Sequence, residues 1–300
     1  MTTAHSSPTC VERSVHDYNW EWQGHRVKAI YEIWGDGSPV LLLPAFSTVS
    51  TREELYGIAE QLAPHFKPII LDWIGFGQSD RLPLNYQADL YQQFLHDFIR
   101  DQVATPIPVI AAGHAAGYVM KLAQHQPQVW SKIMLLAPTW QGPLTTMGAP
   151  SAIATAVRHA VRSPLLGQFL YKLNTTPAFL RLMYRRHVYV DESKLTPEFI
   201  AHKYELTQQP GARFAPAAFV TGALDPAEDR DDFLEGFKTF SGDILVVIAD
   251  AAPPSSNAEM EAIAQCPHVN IKHLPGSLGL YEEFADEIAN WARPFLMDSM

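Results

Sequence analysis

Short apolar runs alternate with helical segments along much of the chain, and this alternation constrains the fold more than any other feature. The apolar runs, which have the uniform character of strands buried on both faces, span 40–43, 68–71, 107–112 and 132–136. The intervening segments, which have the apolar spacing of amphipathic helices, span 51–63, 88–103 and 115–125. Repeats of this kind form parallel sheets with right-handed crossovers. We therefore predict an α/β fold with a mostly parallel, twisted sheet and helices on both faces.

The alternation is interrupted once. Residues 140–218 contain helical stretches but no clear strand, and strand-like runs return at 243–249 and 269–274. This organisation predicts a core made of residues 15–139 and 219–300, with a helical lid inserted at 140–218 and a flexible tail at 1–14. Within the core, His25–Trp34 alternates apolar and polar residues, which is typical of a half-buried antiparallel strand.

Composition narrows the function classes. Hydrophobic residues make up 47% of the chain and charged residues 18%, which argues against disorder. A net charge of −10 argues against nucleic acid or an anionic membrane surface as the main partner. No apolar stretch is long enough to predict a membrane span, and no signal peptide is recognisable. Cys10 and Cys266 are expected to be free thiols, and we predict a cytoplasmic protein.

Glycines frame the corner between the run 107–112 and the following helix, in the sequence Gly113-His114-Ala115-Ala116-Gly117. A strand, a sharp turn and a helix are the context of the G-x-S-x-G nucleophile elbow, in which small residues let the backbone pass closely. The central position, which would hold the nucleophile, is Ala115. A methyl side chain has no atom that could attack a substrate.

Two further segments carry a family resemblance. Residues 71–80, LDWIGFGQSD, resemble the D-x-x-G-x-G-x-S loop of α/β-hydrolases, and residues 41–47, LLLPAFS, resemble their oxyanion loop, with Pro-Ala in place of His-Gly. With the elbow glycines and the strand–helix order, the chain resembles the α/β-hydrolase superfamily, in particular its lidded esterase, epoxide hydrolase and haloalkane dehalogenase branch. The resemblance implies a sheet of about eight strands and assigns Asp72 and Ser79 structural roles.

The resemblance also locates the other two positions of a catalytic triad. The base should follow the last strand, where the family pattern P-G-x-G-H places it on Leu278 or Gly279. The acid should follow the preceding strand, where the expected position is Ala252 and Asp250 is a displaced candidate. The chain thus resembles a hydrolase with a degenerate triad.

Three functional hypotheses remain open. The first is a pseudoenzyme that binds a small apolar ligand or a protein partner. The second is a hydrolase- or lyase-type enzyme that uses other groups of the same pocket, among them Asp250, His114, Ser47 and Tyr118. The third is a structural assembly factor, for which we expect a collapsed pocket and an apolar outer surface.

The pocket should lie at the carboxyl ends of the strands, beneath the lid. We expect its lining to include Phe46, Ser47, His114, Ala115, Ala116, Trp140 and Leu278. The twelve histidines form no H-E-x-x-H or H-x-x-E-H pair, and no G-x-G-x-x-G joins a strand to a helix, so we predict neither a metal nor a cofactor.

Overall fold

A computed structural model describes residues 11–297 of the chain, and its centre is one eight-stranded sheet. The strands are β1 (Arg13–Trp22), β2 (His25–Trp34), β3 (Ser38–Leu43), β4 (Phe66–Leu71), β5 (Ile107–Ala112), β6 (Trp130–Leu136), β7 (Asp243–Ala249) and β8 (Val269–Leu274). Their spatial order is β1-β2-β4-β3-β5-β6-β7-β8. Strand β2 pairs antiparallel with β1 and β4, and the other neighbours pair in parallel.

Thirteen α-helices complete the described chain. They are α1 (Tyr56–Leu62), α2 (Ala88–Gln102), α3 (Ala115–His125), α4 (Pro143–Thr146), α5 (Ser151–Arg162), α6 (Leu166–Leu173), α7 (Pro177–Met183), α8 (Pro197–Thr207), α9 (Phe214–Val220), α10 (Arg230–Thr239), α11 (Pro254–Ala264), α12 (Leu280–Glu283) and α13 (Ala285–Met297). Helix α1 packs on α13, whereas α3 packs on α2 and α10. The predicted α/β fold, with helices on both faces of a mostly parallel sheet, is confirmed.

Burial explains why the middle strands are apolar throughout. In β5 every residue except Pro108 is buried, because helices cover both faces of the sheet. Strand β1 differs, since only Tyr18 and Trp20 of its ten residues are buried. It lies at the sheet edge and starts at Arg13, inside the segment 1–14 that was expected to be a tail. Residues 1–10 of that expected tail lie outside the described residues.

The helical insertion lies between β6 and β7. From Leu136 to Asp243 the described chain has seven α-helices and no strand. We use the name lid for residues 140–218, as in the sequence analysis; α9 runs two residues past its end. The lid has a small apolar cluster of its own, separate from the main core, and Val49 from the loop after β3 joins it. The lid is therefore packed onto the loop that resembles an oxyanion loop.

Candidate functional site

The turn between β5 and α3 pivots at Gly113. This glycine has a φ of +49°, in the left-handed region that favours glycine, whereas His114 is already helical with φ −66° and ψ −21°. Ala115 is the first residue of α3 and is fully buried. In a nucleophile elbow the nucleophile sits on the strained turn. The residue in that backbone conformation here is Gly113, two positions before the expected one, and it has no side chain.

The loop after β3 fills the space beside this glycine. A Cβ placed on Gly113 would lie 2.9 Å from the Cβ of Ala45, much closer than carbon atoms pack. Ala45 occupies the position at which the resembling oxyanion loops have glycine. The two positions are complementary. The methyl group of Ala45 fills the space that a side chain at position 113 would need. Neither Gly113 nor Ala115 can supply an attacking atom.

Aromatic rings occupy the region above the turn. The ring of Phe46 is nearly completely buried, and its centre lies 4.9 Å from the centres of both Trp73 and Tyr91. Tyr118 lies 5.4 Å away, and Phe219, at the end of the α9 helix, packs on the same ring. Phe46 was expected to line the pocket. The structure places it at the centre of an aromatic cluster, which is the arrangement of a packed core.

His114 braces a loop. Its Nε2 lies 2.7 Å from the carbonyl oxygen of Leu224 and donates to it, and the Tyr118 hydroxyl donates to the same oxygen at 2.7 Å. Burial lowers the pKa of His114 to about 4, so the ring is neutral at physiological pH. With the proton on Nε2, Nδ1 is left buried without a hydrogen-bond partner among the described residues. This imidazole holds the loop after α9 and does not face Ala115 as a base.

Asp225 lies beside this histidine. Its Oδ1 is 3.8 Å from Nε2 of His114 and accepts the backbone N–H of Gly142 at 2.7 Å. Burial raises the pKa of Asp225 to about 7, although the Gly142 hydrogen bond opposes this. Asp225 and Trp140 line a cavity of about 630 Å³ together with polar groups of the lid and of α10. Among the expected pocket residues, Trp140 is the one that lines this cavity.

The loop after β8 is bonded to the lid where a catalytic histidine was considered. The backbone N–H of Gly279 donates to the Val188 carbonyl at 2.9 Å, and that of Leu278 donates to the His187 carbonyl at 3.3 Å. A Cβ on Gly279 would lie 2.5 Å from Cγ1 of Val188. An imidazole at position 279 would therefore displace the lid.

The displaced acid candidate does have an imidazole partner. Nδ1 of His273 lies 2.8 Å from Oδ1 of Asp250, and both side chains are half-exposed. The pair sits on β7 and β8, whereas the turn at Gly113 follows β5. At about 4.8 Å per strand spacing, β7 and β8 lie roughly 10 and 14 Å from β5. Ala252, the expected acid position, is half-buried at the start of the next loop.

A buried ionic cluster joins the lid to the core. Nζ of Lys203, on α8, lies 3.0 Å from Oε1 of Glu282 and 3.6 Å from Oε1 of Glu54. Lys203 and Glu54 are both almost inaccessible to solvent, and Oε2 of Glu54 has no partner among the described residues. The neighbouring Glu283 carboxylate accepts the backbone N–H groups of Val190 and Asp191. We call the triad Lys203, Glu54 and Glu282 the lid clamp.

Charge within the lid clamp is unbalanced, since one ammonium faces two carboxylates. Burial raises the pKa of Glu54 to about 8, against the attraction of Lys203. Burial alone would lower the pKa of Lys203, but Glu282 and Glu54 outweigh it and raise that pKa. At neutral pH the favoured state therefore has a charged lysine and a proton on Glu54.

Glu54 should make stability depend on pH. Its folded-state pKa of about 8 lies above the ordinary 4.5, so the folded chain binds the proton more tightly than the unfolded chain. Its contribution is fully present below pH 4.5 and is lost as the pH rises through 8. At about 1.4 kcal/mol per pKa unit, we expect a loss of several kcal/mol across this window. Urea unfolding of Glu54→Gln across the window should give a flatter profile than that of the native chain, whereas Glu60→Gln, at an exposed site, should keep the native slope. Parallel profiles of unfolding free energy against pH for all three proteins would contradict the raised pKa of Glu54.

Comparison with known sequences identifies the family. The sequence model of the Alpha/beta hydrolase family matches residues 40–290. The chain belongs to this family. The match runs from β3 to α13 and includes the whole lid.

Solved α/β-hydrolase structures share the fold at low sequence identity. The haloalkane dehalogenase DatA from Agrobacterium tumefaciens is 16% identical with a TM-score of 0.71, covering 94% of this chain and 96% of that one. A bromoperoxidase from Bacillus anthracis is 17% identical with a TM-score of 0.71, covering 94% and 100%. A thermophilic esterase from Thermogutta terrifontis is 18% identical with a TM-score of 0.70, covering 94% and 98%. These likenesses establish the shared fold.

Sequence relatives add a shorter match. An uncharacterized protein of Mycobacterium tuberculosis is 25% identical over 130 residues, which cover 43% of this chain and 35% of that protein. An uncharacterized protein of Mycobacterium bovis matches to the same extent. The chain thus spans about a third of the length of the curated relatives it matches.

The structure brings some of the expected site residues together and separates others. Phe46 and His114 are in contact, with ring centres 5.7 Å apart, beside the turn that leads to Ala115. Leu278 is hydrogen-bonded to the lid, and Asp250 lies directly after β7, paired with His273. Ser47 is half-buried, and its Oγ accepts the backbone N–H of Val49. No group of three potential metal ligands is found within residues 11–297.

Sequence reasoning missed the lid clamp. Glu54 sits in a short 3-10 helix and Lys203 in a mixed lid helix, so neither falls within a recognisable motif. The one available signal was the acidic pair Glu282-Glu283, which follows Pro275-Gly276 in the segment after β8. Both acids bind the lid rather than a catalytic group.

Proposed function

We propose that this α/β-hydrolase is a non-catalytic member of its family, which acts by binding a partner through its outer surface. The observation that carries the proposal is the turn at Gly113. The residue in the strained conformation has no side chain, and the methyl group of Ala45 occupies the adjoining space. Loss of a nucleophile or base from a hydrolase triad costs roughly 10⁶ in turnover. This corresponds to about 8 kcal/mol of transition-state stabilisation.

Packing favours an external partner over a small apolar ligand. An apolar ligand would need the space above the turn, where Phe46 packs among Trp73, Tyr91 and Tyr118. Hydrogen bonds and the lid clamp hold the lid over the same region. Closely packed aromatic rings leave little room for a guest without displacing side chains. The packed space above the turn and the exposed apolar lid residues described below both support the binding role.

An enzyme that uses other residues is the second candidate, and one contact favours it. The His273–Asp250 pair has the geometry of a base held by an acid. It is half-exposed, however, with His273 on the edge strand β8 and Asp250 directly after the neighbouring strand β7. A catalyst built on it would work at the protein surface and outside the family pocket.

Hydrolysis of p-nitrophenyl acetate and butyrate tests both candidates. We expect the native chain to show no turnover above buffer, since neither Gly113 nor Ala115 has an attacking atom. Ala115→Ser should remain inactive, because residue 115 is helical and fully buried. The rates should be measured at substrate excess on protein whose far-UV spectrum is native.

Variants of the edge pair separate the outcomes. His273→Gln and Asp250→Asn should leave the background rate unchanged, as should His65→Gln at an exposed control histidine. Turnover that is lost in His273→Gln but kept in His65→Gln would establish the second candidate. Turnover that a change at Phe46 or Tyr118 abolishes would place a catalytic site under the lid and overturn the non-catalytic role.

A further inference from the structure

Exposed apolar side chains are concentrated on one part of the lid. Ten large hydrophobic residues are exposed within residues 11–297, and seven of them lie between positions 147 and 173. We call these seven the lid patch: Met147, Ile153, Val157, Leu165, Leu166, Phe169 and Leu173. Leu165 is 88% exposed and Phe169 61% exposed, values unusual for such large apolar groups.

Helical spacing places the lid patch on outward faces. Ile153 and Val157 are four residues apart on α5, whereas Leu166, Phe169 and Leu173 follow the three- and four-residue spacing of one face of α6. Helices α5 and α6 pack on each other. The opposite side of the α5–α6 pair is hydrogen-bonded to other parts of the chain.

Two arginines make that attachment. Arg162 donates to the Leu84 carbonyl at 2.7 Å, and Arg213 donates to the Val161 carbonyl at 3.1 Å. Arg213 also bonds Oε1 of Gln168 on α6. Because these contacts hold the inner side of both helices, the lid patch faces away from the core.

Charge is segregated along the chain in the same region. Residues 102–190 contain eight Lys and Arg and no Asp or Glu, whereas the rest of the chain has fourteen Lys and Arg and 32 Asp and Glu. Lys172, Arg185 and Arg186 are exposed, and none forms an ion pair within the described part of the chain. The net charge of −10 thus conceals a basic stretch without acidic residues, which includes positions 140–190 of the lid.

We propose that α5 and α6 dock the lid patch on the surface of an anionic lipid bilayer. Paired amphipathic helices with apolar residues outward and basic residues nearby are suited to the bilayer interface, where acyl chains accept the apolar side chains and headgroups pair with the cations. A second copy of this chain fits less well, since it would bring its own residues 140–190, which are basic and contain no acid, against the same residues here. Docking requires no membrane-spanning segment, and no helix in the described chain is long and apolar enough to form one. The proposal deepens the binding role proposed above by naming its partner.

Vesicle co-sedimentation tests the docking. The full chain should bind vesicles of phosphatidylcholine mixed with phosphatidylglycerol, and bind vesicles of phosphatidylcholine alone at least tenfold more weakly. Leu166→Glu/Phe169→Glu should weaken binding to the anionic vesicles by about a hundredfold, because it places two anions on the apolar face. Arg185→Glu/Arg186→Glu should weaken the same binding by about tenfold and reduce its sensitivity to salt. Val15→Glu, at an exposed valine on β1, should bind as the native chain does.

Several results would overturn the docking. These are equal binding to both kinds of vesicle, no binding to either, or equal losses in Val15→Glu and Leu166→Glu/Phe169→Glu. A dimer in solution that Leu166→Glu/Phe169→Glu dissociates would assign the patch to a second copy instead. All the substituted residues are exposed, and circular dichroism of each variant should match the native chain. Ester turnover without vesicles, measured on the same samples, reports on the non-catalytic role separately, so each proposal can fail without the other.

Discussion

Lys203→Met is expected to lower the free energy of unfolding by roughly 3–5 kcal/mol, the usual cost of removing one partner from a buried ion pair. Lys203 is 2% exposed and is the cation of the lid clamp, within 3.0 Å of Glu282 and 3.6 Å of Glu54. Methionine preserves most of the side-chain volume but leaves the Glu282 carboxylate without a counter-charge and removes the cation that faces the buried Glu54 carboxyl. Urea unfolding at neutral pH measures the loss.

A matched exposed lysine provides the control. Lys238 lies 3.7 Å from Glu235 with both side chains about half-exposed, so Lys238→Met should cost less than about 1 kcal/mol. Adding Glu54→Gln to Lys203→Met should recover at least about 1 kcal/mol, since glutamine removes the cost of protonating a buried carboxyl group on folding at neutral pH. Equal losses at Lys203 and Lys238, or no recovery, would show that the lid clamp does not stabilise the lid.

Loss of the lid clamp should also loosen the lid locally. The Gly279 and Leu278 N–H groups donate to lid carbonyls, and Glu283 binds the backbone of Val190 and Asp191. Lys203 binds Glu282 in the same segment, so we expect its loss to weaken these bonds. Amide exchange at residues 187–191 and 277–283 should therefore rise in Lys203→Met more than exchange in β5, whose residues lie in the centre of the sheet.

The sheet could be predicted from sequence because its signal is local. Strands β5, β7 and β8 have the predicted bounds, since buried parallel strands are continuous apolar runs. Strand β1 was not predicted, because its first half has no apolar inward face, and only Tyr18, Trp20 and Trp22 carry the alternation. It forms a hairpin with β2 through the two-residue turn Gln23-Gly24, in which both residues have positive φ.

The candidate site could be located from sequence but not described. The glycines around residue 115 indicated the strand–helix turn, yet which of them takes the left-handed conformation depends on how Ala45 approaches Gly113. The partners of Lys203 lie about 80 and 150 positions away in the sequence, a separation that no motif encodes. Net charge also hides how charge is distributed, because a sum over 300 residues averages the acid-free residues 102–190 with the acidic remainder.

Arg52 is the second residue whose loss should have a large effect. Its guanidinium bonds Oε1 of Glu32 through Nε at 2.8 Å and Nη2 at 2.6 Å, and Nη1 bonds the Asp72 carboxylate. All three side chains are less than 10% exposed. Asp72 in turn accepts the backbone N–H groups of Arg52 and Gln78. The cluster therefore joins β2, the end of β4 and the loop after β3, which carries Ala45 and Phe46 to the turn at Gly113.

Arg52→Met should lower the free energy of unfolding by about 3–5 kcal/mol, because it leaves two carboxylates buried without a cation. Arg52→Lys should lower the free energy of unfolding by less than Arg52→Met does, since an ammonium group keeps the positive charge. It should still be less stable than the native chain, because an ammonium group lacks the planar fork of donors that reaches both carboxylates. Arg100 also bridges two carboxylates, those of Asp97 and Asp101, but its side chain is 57% exposed. Arg100→Met should therefore cost about 1 kcal/mol or less in the same urea titration. If Arg52→Met and Arg100→Met lowered the free energy of unfolding by equally small amounts, the ionic cluster would not hold the loops around Gly113. The position of Ala45 would then be set by packing in the aromatic cluster around Phe46.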